Sequence, residues 1–325
     1  MSALSLPIEE IRGEFLDALK SASPRILLKA PTGSGKSTGI PPMMDDAGLG
    51  EGGLIVVVQP RRMAARLLAR HVARQRGAEL GREVGYAVRF ERHISSRTRI
   101  AYVTDGVLER WLTERPSLAG VSAVVFDEFH ERSLSGDLSL GRVLDLQEGP
   151  RRDLAVVVMS ATLEMSGLQE FMGDSCRMLE ARGRQHPVDI LYRAPRLVSD
   201  GRGRVAPPPV WEQAADVVRE AVKDEGCGDI LVFMPGVYEI RKTVDLLESR
   251  PWLEGRNVVP LYGSLSPEQQ NRAVEKGGAP RIIVSTNVAE TSLTIEGVRT
   301  VVDSGLARQS GWDPYRGMDT LHLAK

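Results

Sequence analysis

Cysteine is almost absent from this 325-residue chain: Cys176 and Cys227 are the only two. They form no metal-type cluster, and one bridge would not define a disulfide scaffold, so a reducing cytosol is the simplest home. Aromatic residues are also scarce, at 5%, which argues against a surface built on stacked bases. No apolar run approaches the roughly 20 residues needed to cross a bilayer, so no membrane span is expected. The acidic start, Ser2 to Glu10, has no basic n-region and does not read as a signal peptide. Net charge is missing as well: 42 Lys+Arg stand against 43 Asp+Glu. With 42% hydrophobic and 26% charged residues, the composition excludes a disordered or a fibrous chain. At roughly 100–200 residues per domain, the length suggests two domains.

Charge is balanced in sum but uneven in place. Arginines crowd the stretch from Arg61 to Arg99, where only Glu79, Glu83 and Glu91 oppose them. Such a patch can track a phosphate backbone. It fits a solvated helix face equally well.

Short apolar runs recur, each ending near Gly, Asp, Ser or Thr: Ile26–Leu28, Leu54–Val58, Ile100–Val103, Val121–Phe126 and Ala155–Met159. They are apolar and rich in β-branched residues, with little alternation, as in strands buried on both faces of a parallel sheet. Helical patterns lie between them, roughly at Arg61–Arg76, Gly106–Glu114 and Gly136–Gln147. Such alternation means an α/β layered domain. The pattern then restarts. Val188–Tyr192, Ile230–Met234, Val258–Leu261, Ile282–Ser285 and Thr300–Asp303 read as strands. Trp211–Lys223, Val237–Glu248 and Pro267–Glu275 read as helices, and Arg196–Pro209 as a surface loop. The boundary falls near Arg182–Pro187, giving domains 1–182 and 183–325.

Ala30-Pro31-Thr32-Gly33-Ser34-Gly35-Lys36-Ser37-Thr38 follows a strand and opens a helix, the context a phosphate-binding loop requires. Glycines let backbone N–H groups turn inward onto phosphate oxygens, and the helix N-terminus adds its positive dipole. Lys36 would reach the β and γ phosphates of ATP while adding nothing to a core, and the Ser37 hydroxyl would ligate Mg²⁺. Asp127-Glu128-Phe129-His130 follows the Val121–Phe126 strand. Asp127 can hold the Mg²⁺ shell, and Glu128 can orient and deprotonate the attacking water. His130 joins the catalytic candidates through its spacing from Glu128.

Asp127-Glu128-Phe129-His130-Glu131-Arg132-Ser133 resembles the motif that gives DEAH-box helicases their name. Phe129 at its third place and the Glu-Arg-Ser that follows point to the HrpB-like bacterial branch. Other superfamily 2 motifs are similar and in order. Gln59–Ala65 looks like motif Ia, Thr104–Leu108 like Ib, Ser160–Thr162 like III, Leu231–Gly236 like IV and Ser285–Ile295 like V. The resemblance implies two tandem RecA-like domains, mainly of parallel strands, the second incomplete. It favours nucleic-acid contact along the arginine-rich stretch. By it, Pro60, Arg61, Arg62, Thr104, Asp105 and Thr286 would touch nucleic acid, and Ser160 and Thr162 would link ATP state to domain closure. Ser292, Thr294 and Glu296 would approach the nucleotide alongside Gly33, Ser34, Gly35, Lys36, Ser37 and Thr38. Leu306–Leu323 matches a family β-hairpin that wedges between strands, and its Asp-Pro and Arg-Gly turn material supports a hairpin independently.

The implied activity is an ATP-dependent helicase acting on single-stranded nucleic acid, RNA by preference, in the cytoplasm. Two departures stand out. Val274 occupies a place where many relatives stack a Phe on adenine. The arginine-rich motif VI, expected beyond motif V, is not reached before Lys325, so the resemblance implies a C-terminally truncated protein with low activity alone. The rival reading is a non-catalytic, ATP-gated nucleic-acid-binding module. A metabolic P-loop kinase would not explain motifs Ia, III and V.

Overall fold

The computed structural model describes residues 6–161, 166–183, 187–199, 205–224, 226–253, 255–275, 277–289 and 295–324. The chain divides into two compact units, Met1–His186 and Pro187–Lys325. Both are α/β units of RecA-like type, built on mainly parallel sheets.

The first unit carries strands β1 (Arg25–Lys29), β2 (Leu54–Gln59), β3 (Val84–Val88), β4 (Glu91–His93), β5 (Ile100–Thr104), β6 (Val121–Phe126), β7 (Ala155–Ser160) and β8 (Arg177–Glu180). They pair in the order β4-β3-β5-β2-β6-β7-β1-β8, parallel throughout except for the β3–β4 hairpin. Its helices are α1 (Arg12–Leu19), α2 (Lys36–Asp46), α3 (Leu49–Gly52), α4 (Arg62–Gln75), α5 (Asp105–Glu114), α6 (Leu134–Glu148) and α7 (Ser166–Met172).

Successive strand residues face opposite sides, so each apolar run feeds two cores. Ile26, Leu28, Ile55 and Val57 join Phe15, Ile40, Leu68 and Val72 on one face. Leu27, Val56 and Val58 join Leu108, Leu112, Leu140 and Val143 on the other. That double burial explains why the strands read as unbroken apolar runs. Because the strands are parallel, the loops after β1, β2, β5, β6 and β7 all leave from one sheet edge.

The second unit has a small β9–β10 pair (Val198–Ser199 with Val205–Ala206) and a parallel sheet of β11 (Asp229–Phe233), β12 (Asn257–Leu261), β13 (Arg281–Ser285) and β14 (Val298–Asp303). The sheet order is β12-β13-β11-β14. Helices α8 (Val210–Ala221), α9 (Val237–Glu248) and α10 (Pro267–Val274) complete it. A buried ion pair, Arg281 to Asp229 at 2.7 Å, ties β13 to β11. The expected terminal hairpin is present as β15 (Ala307–Asp313) and β16 (Met318–Ala324), antiparallel from Ala307↔Ala324 to Asp313↔Met318. The Asp313 carboxylate accepts from the N–H groups of Tyr315 and Arg316, and Gly317 turns at φ +63°.

One expected strand is not there. Residues 188–192 join no sheet among the described residues, and Val188, Ile190, Leu191 and Tyr192 are all exposed. Apolar β-formers alone do not make a strand without a neighbouring edge to bond. The Arg196–Pro209 loop also contains the short β9–β10 pairing.

Candidate active site and nucleic-acid edge

The phosphate loop joins β1 to α2. Gly33 and Gly35 adopt φ +77° and +87°, left-handed values that glycine reaches without strain. Gly35 caps α2, and Lys36 is its first residue. The Ala30 N–H donates to the Ser160 carbonyl at 3.0 Å, tying the loop to the end of β7. Beneath Ser37, the buried Tyr102 hydroxyl donates to the Ser37 carbonyl at 2.8 Å. Thr38 turns inward, its hydroxyl 3.4 Å from the Gly35 carbonyl. The Ser34 hydroxyl is buried with no hydrogen-bond partner among the described residues, as a group awaiting a ligand would be.

Lys36 is buried and its Nζ lies 2.9 Å from Glu128 Oε1. The lysine is therefore a paired internal charge, which corrects the expectation that it adds nothing to the interior. Glu128 itself sits at φ +49°, a left-handed position unusual for a side-chain-bearing residue. Burial and neighbouring Asp127 push its carboxyl up to about 7, against the pull of Lys36. A carboxylate so poised suits a general base near neutrality.

Asp127 is held from two sides. Gln59 Nε2 donates to its Oδ2, and the Glu128 N–H donates to its Oδ1 at 2.9 Å. Gln59 is fully buried at the end of β2, and its role was missed in the sequence. The available signal was an amide closing an otherwise apolar strand. His130 Nδ1 lies 3.4 Å from Glu128 Oε2 and accepts a long bond from the Ala161 N–H at 3.5 Å. Burial, then Lys36, lower the His130 pKa and favour the neutral ring. This bond links the Asp127–His130 loop to the one after β7, where Ser160 is buried. Thr162 lies outside the described residues, as do Ser292 and Thr294.

Mg²⁺ takes one or two carboxylates and substrate phosphates, keeping water in its other positions. Asp127 with the Ser37 hydroxyl fits that need. The described residues contain no three-ligand acidic, His or Cys cluster that would cage an ion.

The other loops of this edge continue the network. Arg61 Nε donates to Glu131 Oε2 at 3.1 Å. The Ser133 hydroxyl donates to Asp105 Oδ2 at 2.6 Å, and Thr104 caps α5. Pro60, Asp105, Asp127, Glu128, Glu131 and Ser133 line one small cavity of about 20 Å³. Arg62 opens α4 and is exposed. The motif II tail thus touches Asp127 and Glu128 at one end and motifs Ia and Ib at the other.

The arginine-rich stretch is more neutralised than its own sequence shows. Arg76 pairs with Asp45, Asp46 and Glu83, Arg99 with Asp45 and Glu83, and Arg66 with Glu91. Asp45, Asp46 and Glu131 come from outside the stretch, which is why reading it alone undercounted the acids. A further feature escaped the sequence. Phe90 is 91% exposed with φ +69°, and the Arg89 guanidinium lies 4.7 Å over its ring. It follows β3, which runs parallel to β5, so it leaves the same sheet edge as Thr104 and Asp105.

In the second unit, Thr286 follows β13 and is half-buried, beside Ser285, whose hydroxyl donates to the Leu261 carbonyl. Glu296 is exposed, and its carbonyl accepts from Arg281. Val274 ends α10 and is half-buried.

A phosphate loop, a paired Asp-Glu on the neighbouring edge and a second RecA-like unit define a P-loop nucleotide-dependent helicase core. The DEAD/DEAH box helicase family model matches residues 10–171, and the helicase conserved C-terminal domain matches 213–321. The chain belongs to the DEAD/DEAH-box helicases. It is similar to "ATP-dependent RNA helicase HrpB" of Escherichia coli, 39% identical over 98% of this chain and 38% of that protein. It is similar also to "ATP-dependent RNA helicase HrpA homolog" of Haemophilus influenzae, 38% identical over 96% of this chain and 23% of that one. The crystal structure of Escherichia coli DEAH/RHA helicase HrpB superposes with a TM-score of 0.86 at 39% identity, covering 99% of this chain and 40% of that one. The chain therefore spans well under half the length of these relatives. No helix among the described residues is long and apolar enough to cross a membrane.

Proposed function

We propose that this chain is the motor of an ATP-dependent RNA helicase: residues 1–182 bind and hydrolyse ATP, and residues 183–325 form its second helicase domain. The observation that carries the reading is the buried Lys36–Glu128 pair on the same sheet edge as Pro60–Arg62 and Thr104–Asp105. The loop N–H groups from Gly33 to Thr38 cradle the phosphates, and Lys36 swings from Glu128 to the β and γ oxygens. Ser37 and Asp127 would hold Mg²⁺, which supplies positive charge between phosphates. Glu128, freed from Lys36, takes a proton from the attacking water, with His130 positioning its carboxylate.

Pro60, Arg61, Arg62, Thr104 and Asp105 would touch RNA in the first unit, and Thr286 would do so in the second. Because Glu131 holds Arg61 and Ser133 holds Asp105, the hydrolytic loop registers what these residues grip. Ser160 would answer to the ATP state at the end of β7. The exposed hairpin, with Trp312 and Tyr315 largely open to solvent, serves as the strand-parting wedge. Relatives named as RNA helicases support RNA as the substrate. Two free buried cysteines suit a cytoplasmic setting.

The test is phosphate release and duplex unwinding with and without single-stranded RNA and DNA. A helicase shows RNA-stimulated turnover and strand separation. ATP and RNA binding without turnover in the full-length protein would favour the gated binding module instead.

A further inference from the structure

The segment ahead of the phosphate loop lies directly on it. The Ile8 N–H donates to the Ser34 carbonyl at 3.1 Å, a backbone bond that reaches the loop from the segment before α1. Ile8 is fully buried in the core beside α2. A Cβ added at Gly39 would lie 2.8 Å from Ile8 Cγ2, and one added at Gly35 would lie 2.8 Å from Leu6 Cδ1 and 3.2 Å from Leu6 Cβ. The two 2.8 Å approaches are shorter than carbon atoms tolerate. The two glycines that open α2 are therefore bare where Leu6 and Ile8 press against them. Gly35 also holds φ +87°, a conformation that a loosened loop would leave easily.

We infer that Leu6 and Ile8 form a clasp that positions the phosphate loop, with Leu6 the positioning residue that keeps Gly35 in its phosphate-binding conformation. The inference deepens the ATP-binding reading above and rests on it. Leu6 touches no phosphate itself. It packs against Gly35, so that the Gly35 and Lys36 N–H groups stay aimed at a bound β-phosphate. Preorganisation of this kind lowers the ordering cost of binding. Ile8 anchors the same segment through its bond to Ser34 and its packing under Gly39.

The clasp predicts a particular pattern. Leu6 is 39% exposed, so Leu6→Ala should fold normally. It should weaken ATP and ADP alike, by about three- to tenfold, because both use the β-phosphate cradle. RNA affinity without nucleotide should not move, and Leu6→Met, which refills the space, should return within about twofold of wild type. Fluorescent ATP and ADP titrations with thermal melts measure this, with Lys36→Ala alongside. Unchanged nucleotide affinity in Leu6→Ala overturns the clasp, as does a Leu6→Met variant as weak as Leu6→Ala. If Lys36→Ala also binds ATP normally, the nucleotide site itself is wrong. If Lys36→Ala alone fails to bind, only the clasp is lost.

Discussion

Lys36 Nζ lies 2.9 Å from Glu128 Oε1, with the two side chains 4% and 1% exposed. These are the proposed phosphate-binding cation and the proposed general base, paired with each other. On that proposal an incoming triphosphate would break the buried ion pair and release the base as it captures the cation.

Substitutions at the two ends should behave differently. Glu128→Gln leaves Lys36 without its competing partner, so ATP should bind as well as or better than in wild type, while hydrolysis falls at least about a hundredfold, the scale of general-base effects. Lys36→Ala should abolish ATP binding and also lower stability, since it strands a buried carboxylate. Titration with a fluorescent ATP analogue, with circular dichroism melts, separates the two. Wild-type ATP affinity in a folded Lys36→Ala variant would refute the phosphate-loop assignment.

The raised Glu128 pKa has a stability consequence whose sign follows from linkage. Its folded value, about 7, exceeds its ordinary value of 4.5. The folded state thus binds the extra proton between those limits, and that share of stability is full below 4.5 and lost as pH rises to about 7. The loss is on the order of a few kcal/mol, since one unit is worth about 1.36 kcal/mol. Melts of wild type and Glu128→Gln from pH 5 to 8, nucleotide-free, should show the wild type losing stability more steeply. Parallel curves would mean Glu128 is already ionised at pH 5.

Phe90 and Arg89 make a surface that a base can stack on, despite the low aromatic content of the chain. Phe90→Ala should weaken single-stranded RNA binding by about 1–3 kcal/mol, the worth of one base–aromatic contact. Thermal stability should hardly change, because the ring is 91% exposed. Filter binding of a short oligoribonucleotide checks it, and an unchanged affinity would remove Phe90 from the RNA path.

The family resemblance puts the aliphatic Val274 where relatives offer a ring to adenine. GTP, CTP and UTP should then compete with ATP within about tenfold, or ~1.4 kcal/mol. Competition against a fluorescent ATP analogue measures this, and discrimination beyond about a hundredfold would show that another residue reads the base.

Much of this was legible in the sequence because doubly buried parallel strands leave unbroken apolar runs and because each chemical loop follows one. Residues 237–248 were read as a helix with the boundaries found, Val237–Glu248. The edge strands were harder. Arg177–Glu180 is exposed except at Leu179, so it shows no apolar run, and it pairs with β1 at the end of the sheet. Conversely, residues 188–192 had the right composition but no edge to join. At the site, Lys36, Asp127 and Glu128 were readable from motif spacing. Gln59 holding Asp127, Arg61 on Glu131 and Ser133 on Asp105 were not, since contacts between loops of different strands depend on sheet order, which local pattern does not encode.

The central claim is that RNA on the Pro60–Arg62 and Thr104–Asp105 loops drives hydrolysis at Lys36, Asp127 and Glu128. Arg308 and Arg316 are tied to Glu239 and Asp313 at 3.4 and 3.6 Å, and the family resemblance assigns the γ-phosphate charge to the arginines of motif VI. The deciding measurement is steady-state phosphate release, with and without saturating single-stranded RNA, by residues 1–325 and by the protein extended through that motif. The account predicts slow turnover by the shorter form and RNA-stimulated turnover by the longer one, higher by about 10³–10⁵ and abolished by Glu128→Gln. An extended protein whose rate is indifferent to RNA, or to Glu128→Gln, would contradict it.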